Sequence, residues 1–116
     1  MMSLIEINKD TETLLDKFRD SGEKLAEADA AEKYGENMIS VVRARIEIEF
    51  MNQGKSAAES EKRAKADPRF QQYLKEYEQV RLNKMKAQAE HEDNRNRIMF
   101  KMSMNKAVME EMKFTR

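Results

Sequence analysis

Two arginines inside an apolar stretch are the residues of this chain whose type and spacing come closest to a binding chemistry. Arg43 and Arg45 lie in the largely apolar segment 38–51, and within it Glu47 and Glu49 follow them. A guanidinium group donates several hydrogen bonds in a planar fork, which suits contact with a phosphate. The alternative is an ion pair between subunits with the two glutamates, and the pattern alone favours neither interpretation.

Further basic residues and two tyrosines follow between residues 62 and 77. The basic residues surround a predicted short helix and would extend a track of positive charge along a nucleic-acid strand; they are Lys62, Arg63, Lys65 and Arg69. Tyr73 and Tyr77 have rings of the kind that stack on bases. Their position in an apolar stripe favours packing in a core instead.

Catalysis and metal binding are not expected. The chain has no Cys, a single His and no glycine-rich phosphate loop, and its carboxylates follow charge-alternating helix surfaces. His91 lies between Glu90 and Glu92, but adjacent residues on a helix point in different directions, whereas converging ligands need a spacing of three or four. We therefore predict a surface position for His91, with no metal, no cofactor and no enzymatic activity.

Helices must position these residues, because strong helix formers dominate a chain with only three Gly and one Pro. We predict the all-α class and one helical domain, 1–116. Within it we expect a flexible segment 1–9, helices in 10–51, a loop and short helix in 52–67, and a long helix in 68–113. The first of these regions contains Gly22 and Gly35, so the stretch between them is either continuous helix or a break.

Local signals mark the ends of the predicted helices. Gly54 suits the left-handed conformation that closes a helix, Ser56 with Glu59 has the pattern of a capping box, and Asp67 before Pro68 is suited to cap the last helix. The segment before Gly54 is rich in β-branched residues, so a strand over 38–50 is the minority alternative to a helix.

The last helix is too long to stand alone. Residues 69–116 contain no Gly and no Pro, and about 45 helical residues would extend roughly 65 Å. We therefore expect this helix to pack against another chain in an elongated, oligomeric helical bundle, with a ring among the assemblies considered. The predicted interface consists of two apolar stripes, namely Phe70, Tyr73, Tyr77 and Val80, and Ile98, Met102, Met109 and Met112.

Charge and composition indicate the kind of partner and the cellular compartment to expect. Residues 1–58 hold 8 Lys and Arg against 12 Asp and Glu, and residues 59–116 hold 14 against 10, so the halves carry about −4 and +4. Such halves would attract each other between subunits, or the basic half would face an anionic polymer. The absence of Cys, of a signal peptide and of an apolar run that could span a membrane predicts a soluble, cytoplasmic protein.

The basic motif resembles that of the UvsY family of bacteriophage recombination mediators, small helical proteins that load a recombinase onto single-stranded DNA. Arg43-Ala44-Arg45-Ile46-Glu47 has the family's basic-Ala-basic-aliphatic-acidic form near the end of a long helix. A Gly-containing loop, a short polar helix with the step Ala66-Asp67, and a long terminal helix follow in the same order, over roughly 37–112.

This resemblance implies a ring-forming homo-oligomer that binds single-stranded DNA through Arg43 and Arg45. It also implies contacts with a recombinase and a single-strand-binding protein in the cytoplasm of a bacterial host. The main alternative is a non-enzymatic interaction protein without nucleic-acid binding, such as a host-enzyme inhibitor or an assembly chaperone. Its partner-binding face would be the Met-rich end of the last helix, which contains Met99, Met102, Met104, Met109 and Met112.

Overall fold

The computed structural model of this protein describes residues 4–114 and contains three helices. Helix α1 spans Leu4–Asn52, α2 spans Ala57–Ala66, and α3 spans Pro68–Phe114. Over these described residues there is no strand, so the predicted all-α class is confirmed. None of the three helices has a stretch long and apolar enough to cross a membrane.

Helix α1 is continuous where the sequence left alternatives. Segment 38–50 is helical, which removes the strand alternative, and the helix passes through Gly22 and Gly35 without a break. It also begins earlier than predicted, because it includes residues 4–9, which contain neither Gly nor Pro. Residues 1–3 of the predicted flexible segment lie outside the described residues.

Both glycines of α1 lie where an aromatic ring of α3 comes close to the backbone. A Cβ atom at Gly22 would lie 3.2 Å from Cε1 of His91, and one at Gly35 would lie 2.9 Å from Cδ2 of Tyr77. Each glycine lowers helix propensity by about 1 kcal/mol relative to Ala. The close ring contacts explain why a residue without a side chain is present at both positions.

The predicted ends of the helices are confirmed. Gly54 has a φ of 88°, the left-handed conformation that closes α1. The Ser56 hydroxyl accepts a hydrogen bond of 3.2 Å from the backbone N–H of Glu59 at the start of α2, which is one of the two bonds of the predicted capping box. The carboxylate of Glu59 binds Arg63 instead of completing the box. Helix α3 begins at Pro68, directly after Asp67, whose carboxylate accepts the N–H of Arg69 at 2.8 Å.

The chain divides into two compact units. The first combines the part of α1 up to Ala26 with the part of α3 from Lys86 onward, and the second comprises Glu27–Met85. In each unit α1 and α3 run antiparallel. In the first unit Asp10 pairs with Lys101, and the side chain of Asn94 reaches the carbonyl of Lys17. In the second, Lys84 pairs with Asp29 and Arg69 with Glu49.

Residues on the facing sides of α1 and α3 recur at alternating spacings of three and four, the spacing of a coiled coil. In the first unit this seam contains Thr11, Leu14, Phe18, Ser21 and Leu25 of α1, and Ala87, His91, Asn94, Ile98, Lys101, Asn105, Val108 and Met112 of α3. In the second unit it contains Glu32, Gly35, Ile39, Val42 and Ile46 of α1, and Phe70, Tyr73, Tyr77, Val80 and Lys84 of α3.

The two units differ in what fills the seam. In the second unit Ile46, Ala64 and Phe70 are buried together, and helix α2 closes this core. Burying a side chain such as Ile46 or Phe70 contributes about 1.5–3 kcal/mol. In the first unit Ile98 is the buried hydrophobic residue among those described, and the polar residues Ser21 and Asn94 are buried with it.

Packing within one chain accounts for most of the two apolar stripes that were predicted to lie between subunits. Six of the eight residues are buried or half-buried on the seam with α1, and these are Phe70, Tyr73, Tyr77, Val80, Ile98 and Met112. Met102 and Met109 are exposed. The long α3 therefore finds its partner helix in the same chain, and the oligomer stays a prediction.

Candidate nucleic-acid interface

Arg43 and Arg45 point to different sides of α1. Residues two positions apart on an α-helix are rotated by about 200° from each other around its axis. The seam residues Val42 and Ile46 face α3, and Arg43 and Arg45 lie on either side of them. One protein chain therefore does not bring the two guanidinium groups together at a single phosphate.

Arg43 forms an ion pair within its own helix. Its Nε lies 3.4 Å from a carboxylate oxygen of Glu47, one turn further along α1, and both side chains are partly exposed. The ion-pair interpretation of the motif thus holds for Arg43 inside a single helix. Pairs of this kind contribute about 0.3–0.5 kcal/mol.

Arg45 is exposed and has no ion pair within residues 4–114. Glu49, one turn further along the same side of α1, is bound instead by Nη1 of Arg69 at 2.6 Å. Arg45, Glu49 and Arg69 therefore lie on one side of the second unit, where Glu49 is paired with Arg69 and Arg45 is left without a carboxylate partner among the described residues.

Asp67 and Glu49 hold Arg69 at the start of α3. The carboxylate of Asp67 accepts hydrogen bonds from Nε of Arg69 at 3.1 Å and from Nη2 at 3.2 Å. These side-chain bonds, with the backbone bond of Arg69, keep the pKa of the Asp67 carboxyl below its ordinary value of 3.8. The same bond to Asp67, followed by the one to Glu49, raises the pKa of Arg69. Arg69 is thus a fixed cation.

Helix α2 presents three cations to solvent. Arg63 pairs with Glu59 at 2.9 Å, and Lys65 pairs with Glu61 at 3.2 Å. Lys62 is exposed and carries no ion pair within the described part of the chain. These residues are exposed because the helix buries its other side through Ser60 and Ala64.

Tyr73 and Tyr77 are occupied by packing. Both rings are half-buried against Gly35, and the hydroxyl of Tyr73 donates a hydrogen bond of 2.7 Å to the carbonyl of Gly35. Burial raises the pKa of the Tyr73 hydroxyl. The core interpretation of these two tyrosines therefore describes their position better than base stacking does.

His91 lies in the seam of the first unit, so the predicted surface position is wrong. Its ring stacks on Phe18 with 4.5 Å between ring centroids. The Ser21 hydroxyl lies 3.0 Å from the carbonyl of Phe18 and 3.0 Å from Nδ1 of His91. The Ser21 hydroxyl thus joins the α1 backbone to the imidazole ring of α3. Residues 4–114 contain no group of three side chains suited to hold a metal.

Lys84 is a polar seam residue that sequence reasoning missed. Its ammonium lies 3.2 Å from Glu32 and 3.4 Å from Asp29, two carboxylates of α1 in the same unit. The hydrogen bond to Glu32 is the main cause of a raised pKa at Lys84. The seven-residue spacing from Phe70 through Tyr77 to Lys84 is the signal that would have placed it.

No family model matches this chain, and no curated protein or solved structure does so either. The resemblance to the UvsY family therefore stays a prediction that rests on the motif residues. Function has to be argued from the exposure, charge and packing of the described side chains.

Proposed function

We propose that this protein is a non-enzymatic helical protein that binds single-stranded DNA through exposed basic residues of its second unit. The set consists of Arg45, Lys62, Arg63, Lys65 and Arg69, with Arg43 as a separate contact on the other side of α1. In the fuller form of the proposal, taken from the resemblance, the protein is a homo-oligomeric accessory factor of recombination. It helps to load a recombinase in the cytoplasm of a phage-infected host and also contacts a single-strand-binding protein.

One observation carries the proposal. Arg45 and Lys62 are exposed cations without an ion pair within residues 4–114. The other members of the set are held by ion pairs whose cationic partners are about half exposed, as in Arg63 with Glu59 and Lys65 with Glu61. Exposed pairs contribute about 0–1 kcal/mol, so a phosphate can replace the carboxylate at little cost.

Energetically, this surface suits a strand of phosphates better than one anion. Each cation alone offers a weak contact, but every phosphate that is neutralised releases counterions, so the affinity depends on the number of contacts. Several copies of the chain on one strand would gain further through their high effective concentration. No base-specific group is involved, so we expect binding with little sequence preference.

The proposal is tested by fluorescence anisotropy of a labelled single-stranded oligonucleotide at two salt concentrations. The wild type should bind, and its affinity should fall steeply as the salt concentration rises. The variant Arg45→Ala/Lys62→Ala should bind at least ~10-fold more weakly, because two phosphate contacts are lost. The matched control is Lys75→Ala/Lys86→Ala, which removes two exposed cations of α3 that lie outside the set and have no ion pair within the described residues. Equal losses in both variants, or no binding by the wild type at low salt, would contradict the proposal.

A second candidate function rests on a different surface. The last part of α3 exposes large apolar side chains that no described residue covers, and these are Met99, Phe100, Met102, Met104 and Met109. Exposed apolar patches of this kind mark interaction sites, and thioether side chains adapt to varied partners. The protein would then act as an inhibitor or assembly chaperone for another protein. This alternative predicts no DNA binding at either salt concentration.

A further inference from the structure

The outward side of α1 in the second unit carries an apolar stripe that is exposed except at the half-buried Met38. We call it the outer stripe, and it consists of Ala31, Tyr34, Met38, Val41, Ala44, Ile48 and Met51. The exposed fractions are 67% for Tyr34, 37% for Val41, 55% for Ile48 and 48% for Met51. Arg45, seven residues after Met38, lies within the stripe and is its one charged residue over about six helical turns. Its long side chain can keep the guanidinium group in solvent while its methylene groups lie along the apolar surface.

The outer stripe is separate from the seam with α3. Seam residues such as Val42 and Ile46 face α3, whereas Val41 and Ile48 point away from it. Tyr34, Val41 and Ile48 are spaced by seven residues, so α1 carries a second heptad pattern on its solvent side. A helix face that is only solvated carries mostly polar residues, and this face does not.

We propose that the outer stripe is the interface of a homodimer in which α1 packs antiparallel against α1 of a second copy. A twofold interface must be complementary to itself, because the same patch is used on both subunits. The outer stripe is complementary to itself when the twofold axis passes beside Val41. Tyr34 and Ile48 each lie seven residues from Val41, so antiparallel pairing places Tyr34 of one chain opposite Ile48 of the other.

Side-chain sizes agree with the same axis. Met38 and Ala44 each lie three residues from Val41, and Ala31 and Met51 each lie ten residues from it. Antiparallel pairing therefore places a methionine opposite an alanine at both levels. Large side chains opposite small ones allow two helices to interdigitate.

The charges at the edge of the stripe select the antiparallel orientation. Lys33 and Glu47 lie on one edge, each seven residues from Ser40. About an axis at Val41, Lys33 of one chain lies within about 3 Å along the helix of Glu47 of the other, because the rise is ~1.5 Å per residue. Parallel pairing would instead place this edge of the two helices on opposite sides of the interface, so Lys33 and Glu47 of different chains would not meet. Within one chain these groups form only partly exposed pairs, Lys33 with Asp29 and Glu47 with Arg43.

Sedimentation equilibrium of the full chain tests the interface. At ~100 μM, where even a modest interface is occupied, the wild type should have the mass of a dimer or a larger even-numbered oligomer. Val41→Glu places two carboxylates face to face at the axis and should weaken association by at least ~100-fold. The matched control is Leu82→Glu on α3, because Leu82 is 42% exposed and lies outside the stripe. Circular dichroism checks that both variants keep their helices.

Cross-linking tests the orientation, since the chain has no native cysteine. Val41→Cys should form a disulfide-linked dimer on oxidation, because the axis brings the two copies of this position together. A mixture of Tyr34→Cys and Ile48→Cys chains should cross-link between the two chain types. A monomeric wild type, equal effects of Val41→Glu and Leu82→Glu, or cross-linking of each Tyr34→Cys or Ile48→Cys chain with its own type would overturn the proposal. None of these readouts depends on DNA.

Discussion

Among the described side chains, Ser60 is the one whose polar group is buried without support. It is fully buried in α2, and its Oγ has no hydrogen-bond partner among the described atoms. A buried hydroxyl without a partner costs about 1–3 kcal/mol relative to one that is satisfied. Ser60 lies on the same buried side of α2 as Ala64, which packs in the core with Ile46 and Phe70.

We expect Ser60→Ala to stabilise the protein. The substitution removes the unsatisfied hydroxyl and adds the residue with the highest helix propensity, so the free energy of unfolding should rise by about 1 kcal/mol. Urea denaturation followed by circular dichroism measures the change. Ala64→Ser is the matched control at the other buried position of α2 and should lower the free energy of unfolding. A destabilised Ser60→Ala variant would mean that the hydroxyl has a partner.

At the scale of helices, Gly35 shows how contacts between α1 and α3 override local propensity. An Ala in the interior of an exposed helix would gain about 1 kcal/mol over Gly. Here the added Cβ would lie 2.9 Å from Cδ2 of Tyr77, and that ring is confined by packing, so one of the helices would have to shift.

We therefore expect Gly35→Ala to lower the free energy of unfolding by about 1–3 kcal/mol, the usual cost of overpacking a core. Combining it with Tyr77→Ala removes the ring, so in that background the same substitution should be neutral or stabilising. Thermal and urea unfolding of the four proteins of this double-mutant cycle measure the coupling. Identical effects of Gly35→Ala in both backgrounds would show that Tyr77 is not the cause.

The elements were largely predictable, and their pairing was not. Gly54, Ser56 and Asp67 mark the helix ends, because capping depends on residues close together in the chain and can be read from the sequence. The full seam was not predicted because polar residues such as Lys84 and His91 occupy positions that face α1. An apolar stripe in the sequence does not include such residues. Their contacts with α1 are long-range in sequence, so only the heptad spacing could have indicated them.

The sequence was enough to predict which basic residues belong to the candidate site, but not how they lie relative to one another. The types and positions of the basic residues are read directly from the sequence. That Arg43 and Arg45 diverge follows only once segment 38–50 is known to be helical, because in an extended strand the same spacing would place both on one face. The pairing of Arg69 with Glu49 joins residues 20 positions apart, which no local pattern indicates.

For the whole molecule, the contrast between the two units predicts uneven stability. The second unit has a closed apolar core, whereas the first buries Ser21 and Asn94 beside Ile98. Local opening is cheapest where few apolar contacts are lost. Backbone amides of 11–25 and 90–105 should therefore exchange with deuterium at least ~10-fold faster than those of 39–50 and 70–80. Hydrogen exchange measured peptide by peptide tests this, and equal rates throughout would contradict it.

The measurement that tests the proposed DNA binding most directly is a salt titration of affinity for one labelled single strand, made with the wild type, Arg45→Ala and Arg43→Ala. Each phosphate contact contributes about −0.7 to the slope of log affinity against log salt for single strands. We predict that Arg45→Ala lowers the slope by about one such contact, and that Arg43→Ala, paired on the other side of α1, has a smaller effect. A wild type that does not bind, or a slope unchanged in Arg45→Ala, would contradict the proposal.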